Sequence, residues 1–221
     1  MTVTTTKRPG MLPGRFRVPP PRKLATMNAT PPRVVGLDPS LTAAATVHAD
    51  GTMDLNGITG LATAARGMEY RLNGLEKLAS EIIMSATNTR PPDIGPAPVL
   101  AVMELLPPAG TRSDSERGWL WWEIARRLRA HGVPLLPVSV ATIKKYATGK
   151  GNAPKSAMIE ATVRRMPALE TGGDDNLCDA AWAMAIGCAL LGHPIVEVPA
   201  VNRAALAKLV LPSGNYLPRR D

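Results

Sequence analysis

Val99-Leu100-Ala101-Val102-Met103 is an unbroken apolar run ended by Glu104. It is too short for a stable helix and reads as a strand buried on both faces, so the sheet that holds it needs covering layers on two sides. A second such run, Val34-Val35-Gly36-Leu37, ends at Asp38 and is stopped by Pro39-Ser40. Two strands that are apolar along their length and acidic at their ends constrain both the fold and the chemistry. A carboxylate at the end of a buried strand is costly unless it is paired or holds a metal.

The remaining pattern supplies the covering layers. Thr42 to His48 and Met53 to Ile58 flank Ala49-Asp50-Gly51-Thr52, and the Asp-Gly pair predicts a hairpin, giving an antiparallel meander with the first strand. From Arg66 to Ser85, Met68, Leu72, Leu75, Leu78, Ala79, Ile82 and Ile83 recur at helical spacing. After a loop from Thr89 to Pro98 and the strand ending at Glu104 comes a helix from Ser113 to Ala130. Its expected core positions are Trp119, Leu120, Trp122, Ile124 and Leu128, with Trp121 pointing elsewhere. Val133 to Val138 reads as an edge strand because of its prolines, and helical patterns follow at Val140 to Tyr146, Pro154 to Met166 and Asp175 to Leu191. The expectation is an α/β domain over residues 33–191, a mixed five-stranded sheet flanked by helices. Residues 192–221 are expected to be a C-terminal appendage.

Charge is distributed unevenly. Of 26 Lys and Arg, seven fall in residues 1–33, which hold seven prolines and no acid, and the rest of the chain has 19 bases against 18 acids. Residues 1–32 therefore read as a disordered, basic, proline-rich tail. Residues 126–165 carry nine bases and the single acid Glu160, a block suited to a polyanion. Two cysteines, Cys178 and Cys188, are too few for a disulfide scaffold. No apolar run is long enough to span a membrane and no secretory leader is visible, so a soluble, cytoplasmic protein is expected.

Asp175 and Asp179 open the last helix at i and i+4 and share a face. With Asp38 and Glu104 they make a set of acids delivered by separate elements, without the His and Cys that zinc favours. Such donors suit Mg²⁺ or Mn²⁺. Asp174-Asp175-Asn176 also fits a simple helix cap. Gly149-Lys150-Gly151 lacks the spacing of a nucleotide-binding P-loop.

Four blocks in order resemble the RuvC-type Holliday-junction resolvases of the ribonuclease H-like superfamily, in their divergent bacteriophage forms. They are Val34-Val35-Gly36-Leu37-Asp38-Pro39-Ser40, Leu100-Ala101-Val102-Met103-Glu104, the stretch from Ile143 to Lys155 with Thr148-Gly149-Lys150-Gly151, and Asp175-Asn176-Leu177-Cys178-Asp179-Ala180-Ala181-Trp182-Ala183. The resemblance implies a ribonuclease H-like sheet and a homodimer acting on four-way or other branched DNA. It also implies that Asp38, Glu104, Asp175 and Asp179 hold two Mg²⁺ ions about 4 Å apart, with Mn²⁺ as a substitute. Lys155 is then a catalytic contact to the scissile phosphate, and Lys144, Lys145 and Lys150 join it as DNA-binding candidates. Asn176 stands where many members have an acid, leaving the fourth position to Asp175 or to a water on Asn176. Leu105-Leu106-Pro107 replaces the aromatic residue often found beyond the Glu. The alternatives are another ribonuclease H-like nuclease cutting flaps or RNA–DNA hybrids, a catalytically degenerate DNA-junction-binding protein, and a sugar-kinase or actin-like ATPase, which the short length disfavours.

Overall fold

The computed structural model describes residues 32–61, 67–87, 98–106, 110 and 114–212. The expected basic tail and the Thr89–Pro98 loop lie almost wholly outside these residues. Five strands, β1 (Val34–Asp38), β2 (Ala44–His48), β3 (Met53–Asn56), β4 (Leu100–Glu104) and β5 (Leu135–Val138), form one sheet in the order β3-β2-β1-β4-β5. β1, β2 and β3 are antiparallel neighbours, whereas β4 and β5 add in parallel on the other side of β1. The β2–β3 turn is the expected one: Gly51 takes φ 91°, and the Thr52 N–H donates to the Asp50 carboxylate at 2.9 Å. β5 is the edge strand, where Pro137 costs no ladder hydrogen bond to an outer neighbour.

The helices are α1 (Met68–Thr87), α2 (Asp114–Ala130), α3 (Val140–Thr148), α4 (Lys155–Arg165), α5 (Asp175–Leu190) and the short α6 (Ala200–Arg203), which runs on as a 3₁₀ turn over Ala204–Lys208. They cover both sheet faces, as the two-sided apolar strands require. Val35, Leu37, Ala101 and Met103 pack with α1 and α2, and Val34, Leu100, Val102, Leu136 and Val138 pack with α3, α4 and α5. This is the mixed α/β class expected from the sequence. Residues 194–211 lie against the domain: Val196 and Val198 are buried in the α5-side core, and the Asn202 side chain donates to the Tyr146 carbonyl at 2.9 Å.

The core face of α2 differs from expectation. Leu120, Trp121, Ile124 and Leu128 are buried, while Trp122 is 68% exposed. The Trp121, Ile124, Leu128 steps of three and four define the inward stripe, and Trp122 falls a further ~100° round the helix.

α5 is buried on nearly every side, from Leu177 to Cys188. It runs against β1 with small residues at the crossing. A Cβ on Gly36 would collide with the Ala180 carbonyl oxygen and lie 2.5 Å from the Met184 nitrogen; one on Gly187 would lie 2.6 Å from Val34 and 2.7 Å from Val102. Gly36→Ala should therefore lower stability by about 3 kcal/mol, near the upper end of ordinary overpacking because the obstacle is backbone, and lower Tm by roughly 10 °C. A thermal melt that matches the parent protein would contradict this crossing.

Candidate metal-dependent active site

Strand alternation sets the first two acids. Side chains at 34, 36 and 38 share one face of β1, and those at 100, 102 and 104 share the same face of β4. Leu37 is in register with Met103, so Asp38 and Glu104, one residue further on, end adjacent parallel strands on the α5 side. α5 contributes the third acid. Contacts of Ala180 and Met184 with Gly36, and of Gly187 with Val34, show that α5 runs antiparallel to β1, bringing its N-terminal turns to the strand ends.

Ligand oxygens of Asp38, Glu104 and Asp179 consequently lie within 4.8 Å of one another. Asp175 lines the same cleft of about 260 Å³, together with Asn176, Arg117, Trp121, Lys144 and Lys155, but stands outside that three-acid group. It is ion-paired with Lys155, at the first turn of α4. Lys145 and Lys150 are exposed and do not line the cleft. The sequence reading thus named three acids that converge, a fourth at the rim, two lysines on the cleft and two away from it.

The α3–α4 connection explains why Lys144 and Lys155 reach one place. Ser139 caps α3 by accepting from the Thr142 N–H at 3.2 Å, and Gly149 ends it at φ 85°, its N–H donating to the Lys145 carbonyl at 2.9 Å. That left-handed turn favours glycine and reverses the chain before α4. Arg117 was not singled out by the sequence, because its role depends on α2 reaching across to the end of β4. The local signal for it is Trp121 four residues on, whose Nε1–H donates to the Glu104 carbonyl at 2.8 Å.

The electrostatics are those of acids crowded in a poorly solvated place. Burial first, then repulsion from Glu104, Asp179 and Asp175, raises Asp38 to about 8, against the pull of Lys155. Burial and then Asp179 raise Glu104 to about 7, opposed by Lys144, Arg117 and Lys155. Asp179 is raised to about 6, chiefly by burial, with Lys144 opposing and Asp175 adding repulsion. Asp175 moves the other way, held down by its hydrogen bond from Lys155. Asp179 Oδ1 is buried with no hydrogen-bond partner among the described residues. Three converging carboxylates, one with an orphaned buried oxygen, fit a hard divalent cation, which would supply the missing positive charge and accept oxygen donors.

No family model matches the sequence, and no curated protein matches it. Among solved structures the chain is similar to RuvC of Thermus thermophilus, at 13% identity and a TM-score of 0.48, covering 80% of this chain and 97% of that one. T. thermophilus RuvC in complex with a Holliday junction substrate matches at 13% identity and a TM-score of 0.49, covering 75% of this chain and 99% of that one. The yeast mitochondrial Holliday junction resolvase Ydc2 matches at 15% identity and a TM-score of 0.48, covering 80% of each chain.

The raised carboxyls have a consequence for stability. The folded protein binds these protons more tightly than the unfolded chain, so stability from this cluster is present below the ordinary carboxylate range and is lost as pH rises through about 6 to 8. In EDTA, the Tm of Asp38→Asn should exceed that of the parent by a margin that widens between about pH 5 and about pH 8. Added Mg²⁺ should narrow the margin by stabilising only the parent. A margin independent of both pH and Mg²⁺ in scanning calorimetry would contradict the cluster.

Proposed function

We propose that this chain is a metal-dependent endonuclease of the RuvC type, hydrolysing phosphodiesters in four-way and other branched DNA. One observation carries the reading: three carboxylates from β1, β4 and α5 converge at the strand ends, and the buried Asp179 Oδ1 has no partner among the described residues. The choice of branched DNA rests on the four sequence blocks in family order.

Asp38, Glu104 and Asp179 would hold Mg²⁺, or Mn²⁺ in its place, with Asp175 as the fourth candidate at the rim. When bound, the metal supplies Lewis acidity to phosphodiester hydrolysis. The chain's own residues bring the DNA to it. Lys144, Lys155 and Arg117 line the cleft and offer positive charge to a phosphate, while Asp175 holds the Lys155 ammonium at the rim. Trp121 lines the cleft and donates its indole N–H to the Glu104 carbonyl, which holds the end of β4 in place. The exposed Lys145 and Lys150, with the basic residues 1–32, would add salt-sensitive attraction that does not depend on sequence. A C2 pair of such chains would present two equivalent sites to a junction of near-twofold symmetry.

The test is cleavage of a synthetic four-way junction beside duplex, flap and RNA–DNA hybrid controls. Paired nicks should require Mg²⁺ or Mn²⁺ and stop in EDTA. Asp38→Asn and Asp179→Asn should each lose about a thousandfold in rate, the scale of several kcal/mol of lost charge stabilisation. Asp175→Asn, outside the three-acid group, should lose only about tenfold, as expected of a group acting beside the ligands. Junction binding without metal-dependent cutting would overturn the enzyme in favour of an architectural DNA-binding protein, and equal cutting of flaps or hybrids would overturn the junction preference.

A further inference from the structure

Residues 194–211, to which the sequence assigns no role, are tied to the two helices that carry Lys144 and Lys155 to the acid cleft. A helix leaves its last four carbonyls without partners of its own. At the end of α3 the Lys145 carbonyl is taken by the Gly149 N–H. The Tyr146 carbonyl has no such donor, because the N–H four residues on belongs to Lys150 and donates to Thr148 Oγ1 at 3.2 Å. Asn202, 56 residues away in the chain, supplies the missing bond. Its Nδ2 donates to the Tyr146 carbonyl at 2.9 Å, and the residue is only 2% exposed. An amide buried so completely is costly unless it is bonded, so the pairing specifies one placement of this segment against α3.

Asn202 is itself held. Its backbone N–H and that of Arg203 donate to the Pro199 carbonyl at 3.0 and 3.1 Å, and the Arg203 guanidinium donates to the Val198 carbonyl at 2.7 Å. Val196 and Val198 anchor the segment in the α5-side core, and Arg165, the last residue of α4, donates to the Glu197 carbonyl at 3.4 Å. The segment therefore meets both α3 and α4 at their C-terminal ends. Its packing there is incomplete: a groove of about 680 Å³ is lined by Tyr146 and Ala189 on the domain and by Val196, Val198, Arg203 and Leu206 on the segment. At this point the Asn202 bond, rather than close apolar packing, sets where the segment meets α3.

The same side chain rests on the turn. A Cβ on Gly149 would lie 3.3 Å from Asn202 Oδ1, so Asn202 stands against the left-handed residue that sends the chain towards α4. Lys144 lies five residues before that turn and Lys155 six residues after it.

We propose that Asn202 is a positioning residue for the cleft lysines: by holding the end of α3 and the Gly149 turn, it sets the separation at which Lys144 and Lys155 meet neighbouring phosphates. Cations whose spacing is fixed beforehand avoid the ordering cost that loose ones meet on binding. The inference rests on the DNA-binding part of the reading above and gives residues 194–211 a part in it.

The experiment is a double-mutant cycle on the full chain in EDTA, reading affinity for a synthetic four-way junction over a range of salt concentrations. Asn202→Leu keeps the size of the side chain and removes the donor. It should bind about tenfold more weakly and lower the slope of log K against log salt by about one, the signature of about one lost phosphate contact. In a Lys144→Ala/Lys155→Ala background, which has already lost those contacts, Asn202→Leu should leave the slope unaltered and change affinity by less than about twofold. A parent-like slope in Asn202→Leu would overturn the inference. So would an equal loss in both backgrounds, which would give Asn202 a purely structural role. Should Asn202→Leu not fold, hydrogen exchange of the parent decides: the Gly149 and Ala153 amides should open together with those of Asn202 and Arg203 as denaturant rises, and turn amides that open earlier or later than those two overturn it. Cutting of the junction by the parent in Mg²⁺ is read separately. Cutting without any dependence of binding on Asn202 removes this inference alone, whereas the expected cycle without cutting removes the nuclease alone.

Discussion

The close approach of α5 to β1 is the constraint on which the site depends. Gly36 and Gly187 let a helix that is apolar on nearly all sides lie against the sheet. Any side chain at position 36 would press on the backbone of Ala180 and Met184, one and five residues beyond Asp179. The contact that closes the core thus also sets how far Asp179 stands from Asp38 and Glu104. Packing and chemistry are coupled through this crossing, since interiors packed at crystal-like density do not absorb an extra methyl group without moving something.

The same closeness sets up an electrostatic conflict. Three carboxylates share a small, partly buried volume, and burial first, then mutual repulsion, keeps Asp38, Glu104 and Asp179 above the ordinary carboxylate range despite the lysines at the rim. Lys155, the lysine nearest the acids in role, is engaged by Asp175 instead. A fold that keeps such a cluster forgoes stability at neutral pH in the metal-free state, and local conflicts of this kind are expected where a chain carries function.

Much of this was legible in the sequence because it follows from short-range periodicity. Alternation along Val34–Asp38 and Leu100–Glu104 places both acids at strand ends on one face, and the Asp-Gly turn fixes the hairpin. What escaped the sequence depended on long-range placement. The i, i+4 spacing of Asp175 and Asp179 puts them on one face of α5, yet only Asp179, a turn further in, joins the three-acid group; Asp175 meets a lysine 20 residues away in the chain. Lys145 and Lys150 belong to the same basic stretch as Lys144 and Lys155, but helix phase turns Lys145 outward, and Lys150 lies beyond the α3 cap. The tryptophans of α2 could not be sorted by hydrophobicity, because all are apolar and only the position of the inward stripe decides which one is buried.

That stripe gives α2 a position between two environments. Its buried side, Leu120, Ile124 and Leu128, belongs to the core on the side of the sheet opposite α5, whereas Arg117 and Trp121 reach round the end of β4 to the acid cleft. The Trp121 indole bridges the two: it is buried among core residues, yet its N–H is satisfied by the Glu104 carbonyl. A buried indole needs such a partner, and the end of a strand offers a carbonyl with spare acceptor capacity. The hydrogen bond that settles Trp121 in the core therefore also fixes the backbone from which the Glu104 carboxylate projects. A change on the core side of α2 would be felt at Glu104 through that bond.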